Sequence, residues 1–157
     1  MKKVGLISDT HGKLSGNIFE IFSGVNLILH AGDIGGQDIL TDLSAVAQVK
    51  AVYGNMDVSA EYRTLARIDF LNIENITLCM THIMNSYKSF SYELFKLNRS
   101  ADVVVFGHTH RAEQTKYKDI LFVNPGSVHS PRGGGKPSVA IMTIDDRDIE
   151  VDFYEVK

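Results

Sequence analysis

The chain has one cysteine, Cys79, too few to close an internal disulfide. It lies in the apolar stretch 76–80, which marks it as a reduced core residue and excludes a cross-linked, oxidised scaffold. Basic excess is also missing. The formal net charge is −3, which argues against a protein whose main task is to grip a nucleic-acid backbone, so no stable nucleic-acid binding is expected. No apolar run reaches bilayer-spanning length. Met1-Lys2-Lys3 before Val4-Gly5-Leu6-Ile7 superficially resembles a signal start, but the run meets Ser8-Asp9 at once, so a cytoplasmic location without membrane contact is expected. Linkers, internal repeats and low-complexity tracts are absent, and 157 residues at 44% hydrophobic content suffice for one compact domain spanning residues 1–157.

What the chain does carry is five short polar pieces: Asp9-Thr10-His11, Gly32-Asp33, Gly54-Asn55, Thr81-His82 and Gly107-His108-Thr109-His110. Each follows a β-like stretch, at residues 4–7, 27–29, 49–53, 76–80 and 103–106. Strands that all end in polar side chains bring those side chains to one rim of a sheet. The pieces offer seven candidate ligands, Asp9, His11, Asp33, Asn55, His82, His108 and His110. Carboxylate, amide oxygen and imidazole without clustered thiolate suit hard or borderline divalent ions better than a structural zinc knot. Residues two apart on an extended segment point the same way, so Asp9 with His11, and His108 with His110, are expected to address one cluster while Thr10 and Thr109 face away.

Between these pieces the pattern predicts helices over 14–22, 37–46 and roughly 89–97, from apolar residues at helical spacing. The first third reads as parallel α/β units. Residues 64–71 and 76–80 read as a hairpin joined across Asn72-Ile73-Glu74-Asn75, and 114–118, 120–123, 139–144 and 149–154 as short antiparallel strands, with Asp145-Asp146-Arg147-Asp148 as a turn.

In this order, D-x-H, G-D, G-N, H and G-H-x-H over residues 9–110 resemble the signature of the calcineurin-like metallophosphoesterases. The short length, Gly54-Asn55-Met56-Asp57 and Asn124-Pro125-Gly126-Ser127 resemble the small YfcE/MJ0936-like phosphodiesterase branch of that family. The resemblance implies an α/β fold, the metallophosphoesterase-type αββα sandwich of two mixed β-sheets flanked by helices. It also implies two divalent metal ions, Mn²⁺ foremost, with Ni²⁺, Zn²⁺, Fe²⁺ or Mg²⁺ as alternatives. Asp9, His11, Asp33 and His110 would hold the first ion, and Asp33, Asn55, His82 and His108 the second, with Asp33 bridging. The implied reaction is in-line attack of a metal-bridging hydroxide on a small or activated phosphodiester, with Asp33, Asn55 and His82 as the catalytic set. Two other readings stay open: a phosphomonoesterase or nucleotidase on the same centre, and a catalytically weak protein-binding scaffold like the retromer subunit that resembles this family.

The chain departs from the family pattern twice. Members that read Gly-Asn-His place a histidine near the leaving group, where this chain has Met56, a thioether that cannot donate a proton. Close relatives read Thr-His-Gly-His where this chain has Thr81-His82-Ile83-Met84, so a pocket lined by Met56 and Met84 is expected to be more apolar than usual. Among the remaining polar residues, His30 is expected to orient a ligand or to be an ordinary core histidine. Asp57 is read as ordering its loop, His129 as a loop residue, and residues 124–127 as a turn packed under the site. Arg111 and Arg132 are candidate substrate contacts, and residues 130–136 form either a basic lip for phosphate or a flexible hairpin loop. Tyr87 is a base-stacking candidate, and Phe90, Tyr92 and Phe95 are read as helix core. No base pocket is legible. The expected partner is a small phosphoester substrate, with a homodimer or higher homo-oligomer as the open alternative to a monomer.

Overall fold

Strands buried on both faces read as continuous apolar runs, and strands at a solvent edge read as alternations; both kinds occur here. The computed structural model describes residues 1–157. β1 (Lys2–Ile7), β2 (Leu27–His30) and β3 (Gln48–Ala51) run parallel. β9 (Ser138–Asp145) pairs antiparallel with β1, and β10 (Asp148–Glu155) with β9, giving the order β10-β9-β1-β2-β3. In the second sheet the hairpin of β4 (Ile68–Ile73) and β5 (Ile76–Thr81) is followed by β6 (Val103–Val105), parallel to β5. β8 (Ile120–Pro125) lies parallel to β6, and β7 (Ala112–Tyr117) antiparallel to β8, giving β4-β5-β6-β8-β7.

Period-two alternation divides each inner strand between two cores. Val4 and Leu6 of β1, Leu29 of β2, Leu78 and Met80 of β5, Val103 and Val105 of β6, and Met142 of β9 interdigitate between the sheets. Their neighbours face outward. Ile7, Ile28 and Val139 pack under α1 (Ile18–Ile21) and α2 (Gln37–Ser44), while Cys79, Val104, Phe106 and Phe122 pack under α3 (Tyr87–Lys96). The result is the αββα sandwich with two mixed sheets. Cys79 is free and buried beneath α3, where burial pushes its thiol pKa up to about 12. No helix is long and apolar enough to cross a membrane.

Several boundaries differ from those expected. Only Ile18–Ile21 of residues 14–22 is α-helical. The preceding backbone is held by the neighbouring loop instead, His11 N–H donating to Asp33 O (3.0 Å) and Gly12 N–H to Ile34 O (2.8 Å), while Leu14 still packs on the outer core. β3 ends at Ala51, after which Val52 bridges to Ala66. The hairpin of β4 and β5 turns on Glu74 and Asn75 alone, with Glu74 at φ 52°, so Asn72 and Ile73 remain in the strand. α3 begins two residues earlier than expected because the Ser86 hydroxyl accepts from Ser89 N–H at 3.1 Å and caps it. Phe90 is core as expected, but Tyr92 and Phe95 are solvent-exposed and stack on each other.

Leu78 is fully buried where both sheets meet. Leu78→Ala is expected to lower the unfolding free energy by about 2–5 kcal/mol with an unchanged denaturant slope; a loss below about 1 kcal/mol in urea unfolding would contradict this placement of the core.

Candidate metal centre

β1, β2, β3, β5 and β6 all release their polar pieces at one rim. The side chains converge there, but not from extended backbone as expected. Asp9, His11, Asp33, His108 and His110 adopt left-handed conformations, with φ of 54°, 46°, 54°, 68° and 58°. Such conformations cost about 1–3 kcal/mol each in a non-glycine residue and persist only when surrounding bonds enforce them. Past the strand ends the chain must curl to aim carboxylate and imidazole inward, and the curl is held by Asp9 N–H to Gly32 O and His11 N–H to Asp33 O, both 3.0 Å. Two glycines make the crowding possible. A Cβ on Gly54 would overlap Asp33 Oδ1, and one on Gly107 would overlap the Ser8 hydroxyl.

Asp9 Oδ2 accepts from the Ser8 hydroxyl at 2.8 Å and from His108 N–H at 3.1 Å. Asp9 Oδ1 is buried without a hydrogen-bond partner. Opposite it, 3.1 Å away, lies His110 Nε2. His110 Nδ1 sits 2.7 Å from the Ser130 carbonyl, which can only accept, so in the neutral ring the proton is on Nδ1 and Nε2 presents its lone pair. His11 Nε2 is 3.5 Å from His110 Nε2. The donor atoms of Asp9, His11, Asp33 and His110 all lie within 4.8 Å of one another. Two ligands about 2.1 Å from one ion are at most about 4.2 Å apart, so this cluster is close to a set coordination shell.

A second lobe adjoins the first through Asp33. His82 Nδ1 donates to Ala31 O at 2.7 Å, which leaves Nε2 directed at Asn55 Oδ1 (3.2 Å) and Asp33 Oδ2 (3.3 Å). The His108 ring stands edge-on to His82 with centroids 5.3 Å apart. Asp33 Oδ1 accepts from Met56 N–H at 2.9 Å. Burial raises the Asp9 pKa despite the opposing His82 and His110 charges. For Asp33 burial pulls upward but is outweighed by the bonds from His82 and Met56, and the pKa falls. Burial disfavours the His82 cation, yet Asp33 and Asp9 together raise its pKa. Carboxylate, amide oxygen and imidazole atoms gathered about 3 Å from one another form a donor set that fits hard or borderline divalent ions.

The rim is clasped from behind. Gly32 N–H donates to His30 Nδ1 (3.2 Å), His30 Nε2 pairs with the Thr10 hydroxyl (2.9 Å), and Thr10 donates to Ile34 O (2.7 Å). His30 thus ties the Asp9 loop to the Asp33 loop, and Thr10 faces away from the cluster as expected. Asp57 accepts from Ile34 N–H (2.9 Å), Gly35 N–H (3.2 Å) and Gly54 N–H (2.8 Å), which joins the Asp33 and Asn55 loops. Asn124 donates to Gly107 O and to the Thr109 hydroxyl, both at 3.0 Å, and the Ser127 hydroxyl donates to Asp9 O at 3.0 Å. Sequence reasoning missed Ser8 and the Ser130 carbonyl; the latter acts through backbone and leaves no side-chain signal.

Arg111 and Arg132 line a cleft of about 560 Å³ that meets the cluster only at His110. Met56 is 63% exposed and serves the site through its backbone N–H, and Met84 turns into the core beneath α3 while Ile83 stays near His82. Tyr87 packs on Phe122 and Tyr117 and is no stacking platform for a ligand at the rim.

The sequence profile of the calcineurin-like phosphoesterase superfamily domain matches residues 1–147. The chain is 35% identical to a probable metallophosphoesterase of Methanothermobacter thermautotrophicus over 157 aligned residues, covering 96% of this chain and 90% of that protein. It is 30% identical to the phosphodiesterase YfcE of Escherichia coli, covering 92% of this chain and 89% of that protein. Vps29 of Chaetomium thermophilum superposes with a TM-score of 0.78 at 19% identity, covering 100% of both chains, a likeness of fold.

Two outcomes follow from the clasp. Asp57→Ala leaves three backbone N–H groups without their acceptor and is expected to weaken divalent-ion binding about 10–100-fold and to destabilise the chain by about 1–3 kcal/mol; wild-type affinity in a calorimetric Mn²⁺ titration would sink the idea. Burial, then the His82 charge, push the His30 pKa down to about 3 from 6.5. Between those values the unfolded chain binds a proton that the folded chain refuses, so this contribution is whole above pH 6.5 and is lost as pH falls toward 3. Stability of His30→Gln is expected to fall less steeply than wild type from pH 7 to 4 in urea unfolding; parallel slopes would exclude His30 as the source.

Proposed function

The chain belongs to the calcineurin-like phosphoesterase superfamily, and from that premise we propose that it is a metal-dependent phosphodiesterase acting, as a single domain of residues 1–157, on small or activated phosphodiesters. The observation that carries the reading is Asp9 Oδ1, buried, unpartnered and faced by the lone pair of His110. Asp9, His11, Asp33 and His110 would hold one divalent ion, and Asp33, Asn55, His82 and His108 a second, Asp33 serving both. Mn²⁺ suits the mixed oxygen and imidazole set, with Ni²⁺, Zn²⁺, Fe²⁺ or Mg²⁺ as alternatives. Bound ions there would supply Lewis acidity to the phosphoryl oxygens and make a water acidic enough to attack near neutral pH.

The chain's own groups orient that chemistry. Ala31 O and Ser130 O fix the tautomers of His82 and His110, and Met56 N–H and His108 N–H hold the carboxylates of Asp33 and Asp9 in place. In the net reaction a water oxygen bonds to phosphorus, the bond to one ester oxygen breaks, and a proton is released with an alcohol and a phosphomonoester. No side chain in contact with the cluster is a free proton donor for the departing oxygen, which favours esters whose leaving groups depart as stable anions. Arg67, the cationic side chain of the cleft beside Asn55 and His82, is paired with Glu93, and Arg111 and Arg132 line a cleft that reaches the cluster at His110; the absence of an unpaired cation beside Asn55 and His82 supports diesters over monoesters. The fold shared with Vps29, together with the exposed pair Tyr92 and Phe95, favours a protein-binding scaffold as second reading.

The test is hydrolysis of bis-p-nitrophenyl phosphate beside p-nitrophenyl phosphate by metal-stripped protein resupplied with Mn²⁺, Ni²⁺, Zn²⁺ or Mg²⁺. Diester turnover is expected to return with metal and to fall more than about a hundredfold in Asp33→Ala, a larger loss than supporting residues give. Monoester preference would favour the phosphatase alternative, and no turnover by folded protein with any ion would favour the scaffold.

A further inference from the structure

A cleft of about 380 Å³ opens directly beside Asn55 and His82. Its walls are built from the immediate neighbours of these two residues: Tyr53, two positions before Asn55, and Ile83, the residue after His82. Both are large apolar side chains left in solvent, 36% and 41% exposed. The buried Phe90, at 2% exposure, completes the apolar lining. The remaining wall is polar and balanced in charge, with Arg67 paired to Glu93.

Resting on the phosphodiesterase reading, we propose that this cleft seats one ester substituent of the substrate, and that the substituent is a planar, uncharged ring carrying hydrogen-bond donors and acceptors on its edge, as a nucleobase does. The volume lies at the lower end of the range of about 300–1,000 Å³ for small-molecule sites, enough for one ring system and short of an extended chain. Tyr53 and Ile83 offer apolar surface to ring faces, and the Arg67–Glu93 pair offers both a donor and an acceptor to a ring edge. A second phosphate drawn by Arg67 would meet the Glu93 carboxylate, so a polyanionic substituent is disfavoured. The cleft at Arg111, Arg132 and Lys136 is larger, at about 560 Å³, and carries more basic than acidic side chains, although it too holds exposed aromatics, Phe153 and Tyr154, and an ion pair, Lys136 with Glu155.

Thymidine 5′-(p-nitrophenyl phosphate) and ethyl p-nitrophenyl phosphate share a leaving group and differ in the other substituent. With Mn²⁺-restored protein the nucleoside ester is expected to have a kcat/KM at least about tenfold higher, carried by KM, as one charge-assisted hydrogen bond suffices to give. That preference is expected to collapse in Arg67→Met and in Ser89→Trp, which fills the cleft from α3. In metal-free protein, thymidine is expected to shift the Ile83 methyl signals in NMR spectra. Equal kcat/KM values for the two esters, a preference that survives both variants, or no shift at Ile83 would overturn the cleft assignment while leaving the phosphodiesterase reading intact. Loss of turnover for both esters would overturn that reading and with it the assignment of an ester substituent to the cleft.

Discussion

A carboxylate oxygen withdrawn from water and given no donor is the least stable element of this molecule, and Asp9 Oδ1 is such an atom. Burying an uncompensated charge costs several kcal/mol, and proteins relieve that cost with a proton, a partner or a cation. Here the nearest groups are the imidazoles of His110 and His82, which turn Nδ1 to the Ser130 and Ala31 carbonyls and Nε2 toward the carboxylates. The rim therefore holds a concentration of lone pairs that the fold does not satisfy from within, and the surrounding loops are shaped to keep it so.

Keeping it so requires backbone that resists relaxation. Five left-handed residues at the rim are held by bonds between loops more than by bonds within them. His30 and Thr10 link the first two loops, Asp57 the second and third, and Asn124 with Ser127 brace the pieces at Gly107 and Asp9. Each clasp uses a buried polar side chain bonded to backbone or to another side chain of the rim, which ties the loops into one assembly. Backbone bonds between the same loops keep a helix from starting at the rim: the N–H groups of Asp9, His11 and Gly12 are committed to Gly32, Asp33 and Ile34.

Much of this was legible in the chain itself. Apolar runs that stop abruptly at Asp, Asn or His mark strand ends at a rim, and the order of the five pieces carries the family resemblance; the two-sheet fold followed. The convergence of Asp9, His11, Asp33 and His110 accords with it, although the expected extended geometry does not. Left-handed backbone at a carboxylate or histidine has no residue signature comparable to glycine's, so it was invisible. The helix expected over 14–22 failed because apolar spacing records which residues are buried, and Leu14 is packed equally well by a loop. Which of Ile83 and Met84 faces the site depends on the path of the chain past the end of β5, a boundary that periodicity locates only to within about two to four residues. Arg111 and Arg132 are next to site residues in the chain or in space, yet their side chains belong to another cleft.

β1 is the first strand of the chain, yet it lies at the centre of its sheet, and one of its two neighbours is β9, which begins at Ser138. During synthesis on the ribosome β1 can pair with β2 early, but its other edge stays open until β9, more than a hundred residues later, has emerged. The rim has the same timing, since Asp9 faces His110 and is braced by Ser127. The candidate ligands are thus brought together only after the segment carrying His108 and His110 has joined the first sheet, and the central strand of that sheet is the one that waits longest for its second neighbour.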